Sequence, residues 1–335
     1  MKRTCVPSRG NMVGLLCVSA VLAGCSDDST GPGGDPAFDP AFAVEVVDEV
    51  LGAFEASEVE VVMGNINFAL GQPQAAPAAV SDHGLPGAGS TYVYDESDLK
   101  WKVDPERTGA PAEGVRFVWY AMDLNANSPI RPLDERGYVD LVLEETSETE
   151  ARMDVTFVLL EEGAPTMAAE FSILFQEDAG SGSFTVSAGG TAGSVAFDVE
   201  RSFTFGEQEG LYELLVTVDG DGGLVAAGLE APFDPVTQED TGDPLFVGSV
   251  LTQGHYLLVE TGVELETGAL DGTVEADDQN VLELQGTAAD PTFRLPTGEA
   301  PTTQVQAQMT GVWAELWSLL TDGAVLVSVL ESRYR

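Results

Sequence analysis

Cysteine is almost absent from this 335-residue chain: Cys5, Cys17 and Cys25 are its only thiols. All three lie in the first 25 residues, so no disulfide and no cysteine-ligated metal can form in the remaining 310. Histidine is nearly as scarce, with only His83 and His255. That excludes the usual zinc spacings, and without a G-x-S-x-G turn or a free thiol no nucleophilic triad suggests itself. Basic residues are also few. Residues 1–24 hold three of the 14 Lys and Arg and none of the 56 Asp and Glu, which leaves eleven against 56 and a formal charge of −45. Nucleic-acid binding depends on neutralising phosphates with Lys and Arg, so it is excluded. No apolar run reaches the ~20 residues of a membrane-spanning helix.

The N-terminus has a clear pattern. Lys2, Arg3 and Arg9 precede the apolar run Met12–Ala23, and no acid occurs before Asp27. A basic start, a short apolar stretch and small residues at its end mark a secretory signal peptide. The run closes on Leu22-Ala23-Gly24-Cys25, which resembles the lipobox of bacterial lipoproteins. That resemblance implies cleavage between Gly24 and Cys25, acylation of the Cys25 thiol and attachment to the lipid bilayer. Ser26, rather than Asp, after the cysteine implies the outer membrane, on its periplasmic face or at the cell surface. Residues 25–38 are polar, acidic and rich in Gly, a composition that cannot bury enough apolar surface to order itself and serves as a tether.

Residues 39–335 read as one β-rich domain that must rely on its core. Asp39 and Pro40 form a helix start, and Phe42, Val46, Val47, Val50, Leu51 and Phe54 repeat at helical spacing, predicting an amphipathic helix over about 40–57. Val59–Leu70 is apolar without a clear period, and 72–89 is a loop rich in Pro, Ala and Gly. From Ser90 the period becomes two. Met153, Val155, Phe157 and Leu159, or Val195, Phe197 and Val199, alternate with polar residues, and the pattern continues to Val305, Ala307 and Met309. Short Gly- and Asp-rich turns separate the runs. The expectation is a mainly β fold: a large curved antiparallel meander, half-barrel or sandwich-like, with strands over about 90–310. Val312, Trp313, Leu316, Trp317 and Leu320 predict a closing helix over about 311–322.

Chemistry-bearing candidates are few. Asp219-Gly220-Asp221-Gly222-Gly223 has acids spaced as in a calcium loop, with Glu230 where a twelfth-position ligand would fall. Leu224 occupies the position such a loop reserves for Gly, and a hairpin turn accounts for the same residues. No other cofactor is implied. Arg201 shares the parity of Phe197, Val199, Phe203 and Phe205, so it points into the apolar face. A bulge turning it outward, a buried acid partner or a ligand would each explain it.

The stretch Asp104–Phe117, with Tyr120 and Pro132–Leu141, resembles a pattern in uncharacterised bacterial lipoproteins that share the lipobox, the acidic tether and a β-rich body. More loosely, the architecture is similar to the half-barrel lipoprotein carriers of the LolA/LolB type, which implies a curved sheet able to hold an acyl chain. The expected function is therefore a non-enzymatic, membrane-anchored lipoprotein binding a hydrophobic ligand or an envelope protein on its sheet. The alternatives are a surface-interaction lipoprotein with no cavity and a carboxylate-dependent hydrolase. Cys25→Ser is expected to move the protein out of the membrane fraction while leaving its far-ultraviolet circular dichroism unchanged; loss of the β signal would contradict an anchoring role.

Overall fold

The computed structural model describes residues 40–55 and 87–334, apart from 124–127, 148, 162–163, 179–182, 207–208, 235–236, 238–240, 253–254 and 265. Cys25, Gly24, the tether, Val59–Leu70 and His83 lie outside these residues. The described chain holds a helix α1 (Pro40–Glu55), 17 strands and a closing helix α2 (Thr303–Tyr334). Fifteen strands form one sheet in the order β17 (Asp290–Arg294), β16 (Gln279–Thr287), β15 (Leu270–Ala276), β14 (Tyr256–Val263), β13 (Leu245–Leu251), β12 (Gly223–Phe233), β11 (Gly210–Gly220), β10 (Val195–Phe205), β9 (Ser183–Ala192), β8 (Ala164–Asp178), β7 (Glu150–Glu161), β6 (Glu135–Ser147), β3 (Gly114–Tyr120), β1 (Ser90–Asp95) and β2 (Lys100–Val103), and β4 (Met122–Asp123) and β5 (Ser128–Pro129) pair separately.

Every strand from β7 to β17 pairs antiparallel with its predecessor, as short turns between alternating runs require, and β6 pairs antiparallel with β3. The meander breaks once. β1 (Ser90–Asp95) pairs antiparallel with β2 (Lys100–Val103) but parallel with β3 (Gly114–Tyr120). The connection over 104–113 therefore crosses β1 to reach its other side. The sheet is open, with β2 and β17 as its edges.

Alternation gives the sheet two faces of different character. Inner-face residues from Tyr92 and Phe117 through Val155, Ile173, Val199, Val216 and Val259 to Phe293 join both helices in one buried cluster. A flat sheet of this many strands would be roughly 70 Å wide. Helix α2, with 32 residues, is about 48 Å long. Twist and curl therefore bring the inner face around the helices.

Helix α2 differs from the expectation at both ends. Thr302 starts it: its Oγ accepts from the Val305 amide at 3.3 Å and its carbonyl from the Gln306 amide at 3.0 Å. Gln304–Met309, expected as a strand, form the first turns instead. Six residues of alternation fit either period, and Gln, Ala and Met favour helix. What decides is the stripe that continues through Met309, Val312, Trp313, Leu316 and Leu319, each at most 2% exposed. Gln306 also closes the β17 edge, accepting from the Phe293 amide at 3.0 Å and donating to the Pro291 carbonyl at 3.1 Å. The Trp313 indole donates to the Ala288 carbonyl at 2.9 Å and stacks on Trp317 at 5.5 Å.

Asp322 and Gly323, where the expected helix of about 311–322 ends, lie inside α2. Gly323 packs so closely on Val216 that an added Cβ would sit 2.3 Å from Val216 Cγ2. Gly311, on the exposed side, has no heavy atom within 4 Å of such a Cβ. Gly323→Ala is expected to destabilise the protein by about 2 kcal/mol through overpacking. Gly311→Ala should stabilise it by about 0.5–1 kcal/mol through helix propensity. Urea unfolding of the two variants checks the seat of α2; equal shifts would contradict it.

Candidate ligand-binding face

The two helices leave part of the inner face to other packing. α1 lies over hairpin ends: Val50 approaches Gly220, Val46 approaches Gly223 and Glu49 overlies Gly222. α2 crosses mid-strand, with Leu316 on Gly248 and Gly323 on Val216. Toward the opposite strand ends the inner face turns aromatic. β9 (Ser183–Ala192), β10 (Val195–Phe205) and β11 (Gly210–Gly220) are in a register that sets Phe184 opposite Phe203 and Phe203 opposite Tyr212. Their ring centres are 4.7 and 5.0 Å apart, within the range of favourable aromatic pairs.

Further rings extend the row in both directions. Phe175 on β8 (Ala164–Asp178) stacks on Phe184 at 6.0 Å. Phe205 meets Phe233 of β12 (Gly223–Phe233) edge-on at 5.5 Å. Those two strands are not neighbours, since β11 runs between them. Gly210 makes the contact possible, because a Cβ there would lie 2.4 Å from Phe233 Cζ. Phe175 and Phe233 are buried at 6% and 7% exposure, whereas Phe184, Phe203, Phe205 and Tyr212 are only half-buried.

Arg201 stands where the aliphatic core meets this row. Its register is continuous with Val186 on one side and Leu214 on the other, so no bulge turns it outward. It is half-buried, and its guanidinium carbon lies 5.8 Å from the centre of the Tyr212 ring. At that distance a cation–π attraction contributes on the order of 0.5–1 kcal/mol. A cation bordering a half-exposed aromatic surface suits a ligand that is apolar over most of its length and acidic at one end.

No protein-family model, no curated protein and no solved structure matches the chain. The reading of the site therefore stands on geometry. Parity along β10 is enough to find Arg201. The aromatic row is less visible, because Phe184, Phe203, Tyr212 and Phe233 meet only through strand register. The available signal was their similar distance from the turns that join β8 to β12.

The other candidates are dispersed. Asp219 closes β11 and Asp221 sits in a two-residue turn between the paired Gly220 and Gly223. Glu230 lies seven residues along β12, about 20 Å from that turn at strand rise. Of the two expectations for Asp219 and Asp221, the β-hairpin is the one the register shows. Among the described residues no group of three or more metal-binding side chains occurs. His255 pairs with Asp277 at 2.7 Å on the exposed hairpin ends.

Glu230 instead faces Glu213 directly across the β11–β12 pair, on the outer face. Ser202 Oγ donates to Glu213 at 3.0 Å, while Glu230 Oε2 is buried with no hydrogen-bond partner among the described residues. Desolvation, and then the Glu213 charge, raise the Glu230 pKa. A raised carboxyl pKa means the folded chain holds the proton more tightly, so this contribution to stability is present in acid and is lost as pH rises through the folded value. Glu230→Gln is therefore expected to stabilise the protein at pH 7, because it removes a partly desolvated charge that faces Glu213. The gain should vanish below the ordinary value of 4.5. Chemical denaturation at the two pH values tests this, and destabilisation at pH 7 would contradict it.

Proposed function

We propose that this protein is a non-enzymatic lipoprotein of the outer membrane, held by acylated Cys25, that binds an apolar ligand on the aromatic end of its inner sheet face. The address is read from Lys2, Arg3, the apolar run and Leu22–Cys25. Among the described residues no helix is long and apolar enough to cross a membrane. Attachment through acyl chains is consistent with that, each buried methylene contributing about 0.8 kcal/mol. The tether of residues 25–38 gives the domain freedom to stand off the bilayer.

The observation that carries the ligand reading is the aromatic row itself. Phe184, Phe203, Phe205 and Tyr212 are only partly buried, on a face where most other residues belong to the buried core. Rings left partly in water on an otherwise buried apolar face are a ready surface for an acyl or polyprenyl chain. Arg201 gives the row a polarity, so the ligand's acidic end would lie toward the middle of the strands.

Native mass spectrometry and fluorescence titration of the purified protein test this with oleate and oleyl alcohol as probes. Oleate should bind one to one. Phe203→Ala should weaken both probes by about tenfold, in proportion to lost apolar contact. Arg201→Leu should weaken oleate selectively. Failure of either probe to bind, or an Arg201 variant that treats them as wild type does, would refute the proposal.

A further inference from the structure

On the outer face, at the opposite end of the sheet, the crossover over 104–113 encloses a second site. The crossover is held at several points along its length. The Asp104 amide donates to the Thr91 carbonyl at 2.9 Å. Arg107 Nη1 donates to both oxygens of Glu135 on β6, at 3.0 and 2.9 Å. Gly109, at φ +103°, comes so near Arg116 that an added Cβ would sit 3.2 Å from Nη1. Only glycine adopts that backbone conformation without strain. Beneath the crossover lies a pocket of about 310 Å³ lined by Thr91, Arg107, Thr108, Arg116, Glu135 and Tyr138, with Val118 among its walls.

The two arginines are fixed before any ligand arrives. Arg116 donates from Nε and Nη2 to the two oxygens of Asp140 at 2.6 and 2.7 Å. Its guanidinium carbon lies 3.6 Å from the centre of the Tyr138 ring. A fork held on one edge by a carboxylate and on one face by a ring keeps its remaining N–H groups aimed. Both oxygens of Glu135 and both of Asp140 already accept from these arginines. Arg107 Nη2 and Arg116 Nη1 enter none of those bonds.

Thr91 supplies a separate observation. It is 2% exposed and lines the pocket, yet its Oγ1 has no hydrogen-bond partner among the described residues. A buried hydroxyl left unsatisfied is costly, and Thr91 stands in the wall of a space large enough for a small molecule. The pocket therefore presents two guanidinium groups, one of which also meets the Tyr138 side chain, while the oxygens of Glu135 and Asp140 are already engaged.

We propose that this pocket binds a small monocarboxylate. A carboxylate is planar, accepts at both oxygens and matches the N–H edge of a guanidinium. Each arginine here is already paired with an acid, and in a strongly acidic protein a monoanion meets less repulsion than a phosphate dianion. The inference does not depend on the ligand reading of the inner face, because the two sites lie on opposite faces of the sheet and share no residue.

Isothermal titration calorimetry of the full-length protein tests it. The probes are acetate, propionate and benzoate, with the matching amides and inorganic phosphate as comparisons. At least one carboxylate should bind one to one, more tightly than its amide and than phosphate. Thr91→Val, which keeps the shape and removes the hydroxyl, should weaken it roughly tenfold, the scale of one hydrogen bond to a charged group. Arg107→Gln should weaken it as well and checks the site independently, should Thr91→Val alter folding. Equal binding of carboxylate and amide, tighter binding of phosphate, or carboxylate affinity unchanged in both variants would overturn the proposal.

Discussion

The burial of one face of a very wide sheet is the constraint on which the rest of the structure depends. A 15-stranded antiparallel sheet can leave one side to water, but its other side must be covered along its whole width. With no cysteine beyond Cys25, apolar packing alone has to provide that cover. Helix α2 supplies much of it, running from the β17 edge, where Gln306 holds the strand, to Val216 at mid-sheet and onward to β9 and β8. Helix α1 covers the hairpin ends. The small residues Gly220, Gly223, Gly248 and Gly323 occur where helix and strand approach most closely. The aromatic row lies beyond the mid-strand path of α2, and this is why it remains half-exposed.

The outer face obeys a different requirement. It carries many of the chain's acids, and open sheets also have edges that can recruit foreign strands. One edge is closed by Gln306. The other, β2, is four residues long and bears Lys100 and Lys102, with Lys102 tied to Asp95 and Asp98. Seven of the eleven basic residues after Cys25 fall in 100–152, on and beside that edge. The bound pairs Arg107–Glu135 and Arg116–Asp140 belong to this region, so the scarce cations are concentrated where the meander is interrupted.

Much of the fold was legible because the sheet alternates so regularly. Met153, Val155 and Phe157, or Val195, Phe197 and Val199, announce both strand and buried face. α1 was readable from Asp39, Pro40 and the valine stripe. The limits of α2 were not, because Gln304–Met309 satisfies both periods and only the register with Trp313 and Leu316 resolves it. The crossover at 104–113 escaped notice since nothing local distinguishes a parallel from an antiparallel neighbour. The same holds for the sites. Arg201 followed from parity, whereas Phe184 with Phe203, and Thr91 with Arg116, come together only through pairing between strands. Asp219 and Asp221 left two readings open in the sequence because a tight hairpin and a cation loop ask for the same residues, and strand register shows the hairpin.

The aromatic end of the inner face is the proposed seat of an apolar ligand. Amide hydrogen exchange of the full-length protein, with and without saturating oleate, locates that seat. Oleate should slow exchange only at 183–186, 201–205, 210–214 and 231–233, with the hairpin at 219–224 unchanged. Protection concentrated elsewhere, or none at these strand ends while oleate is bound, would contradict it.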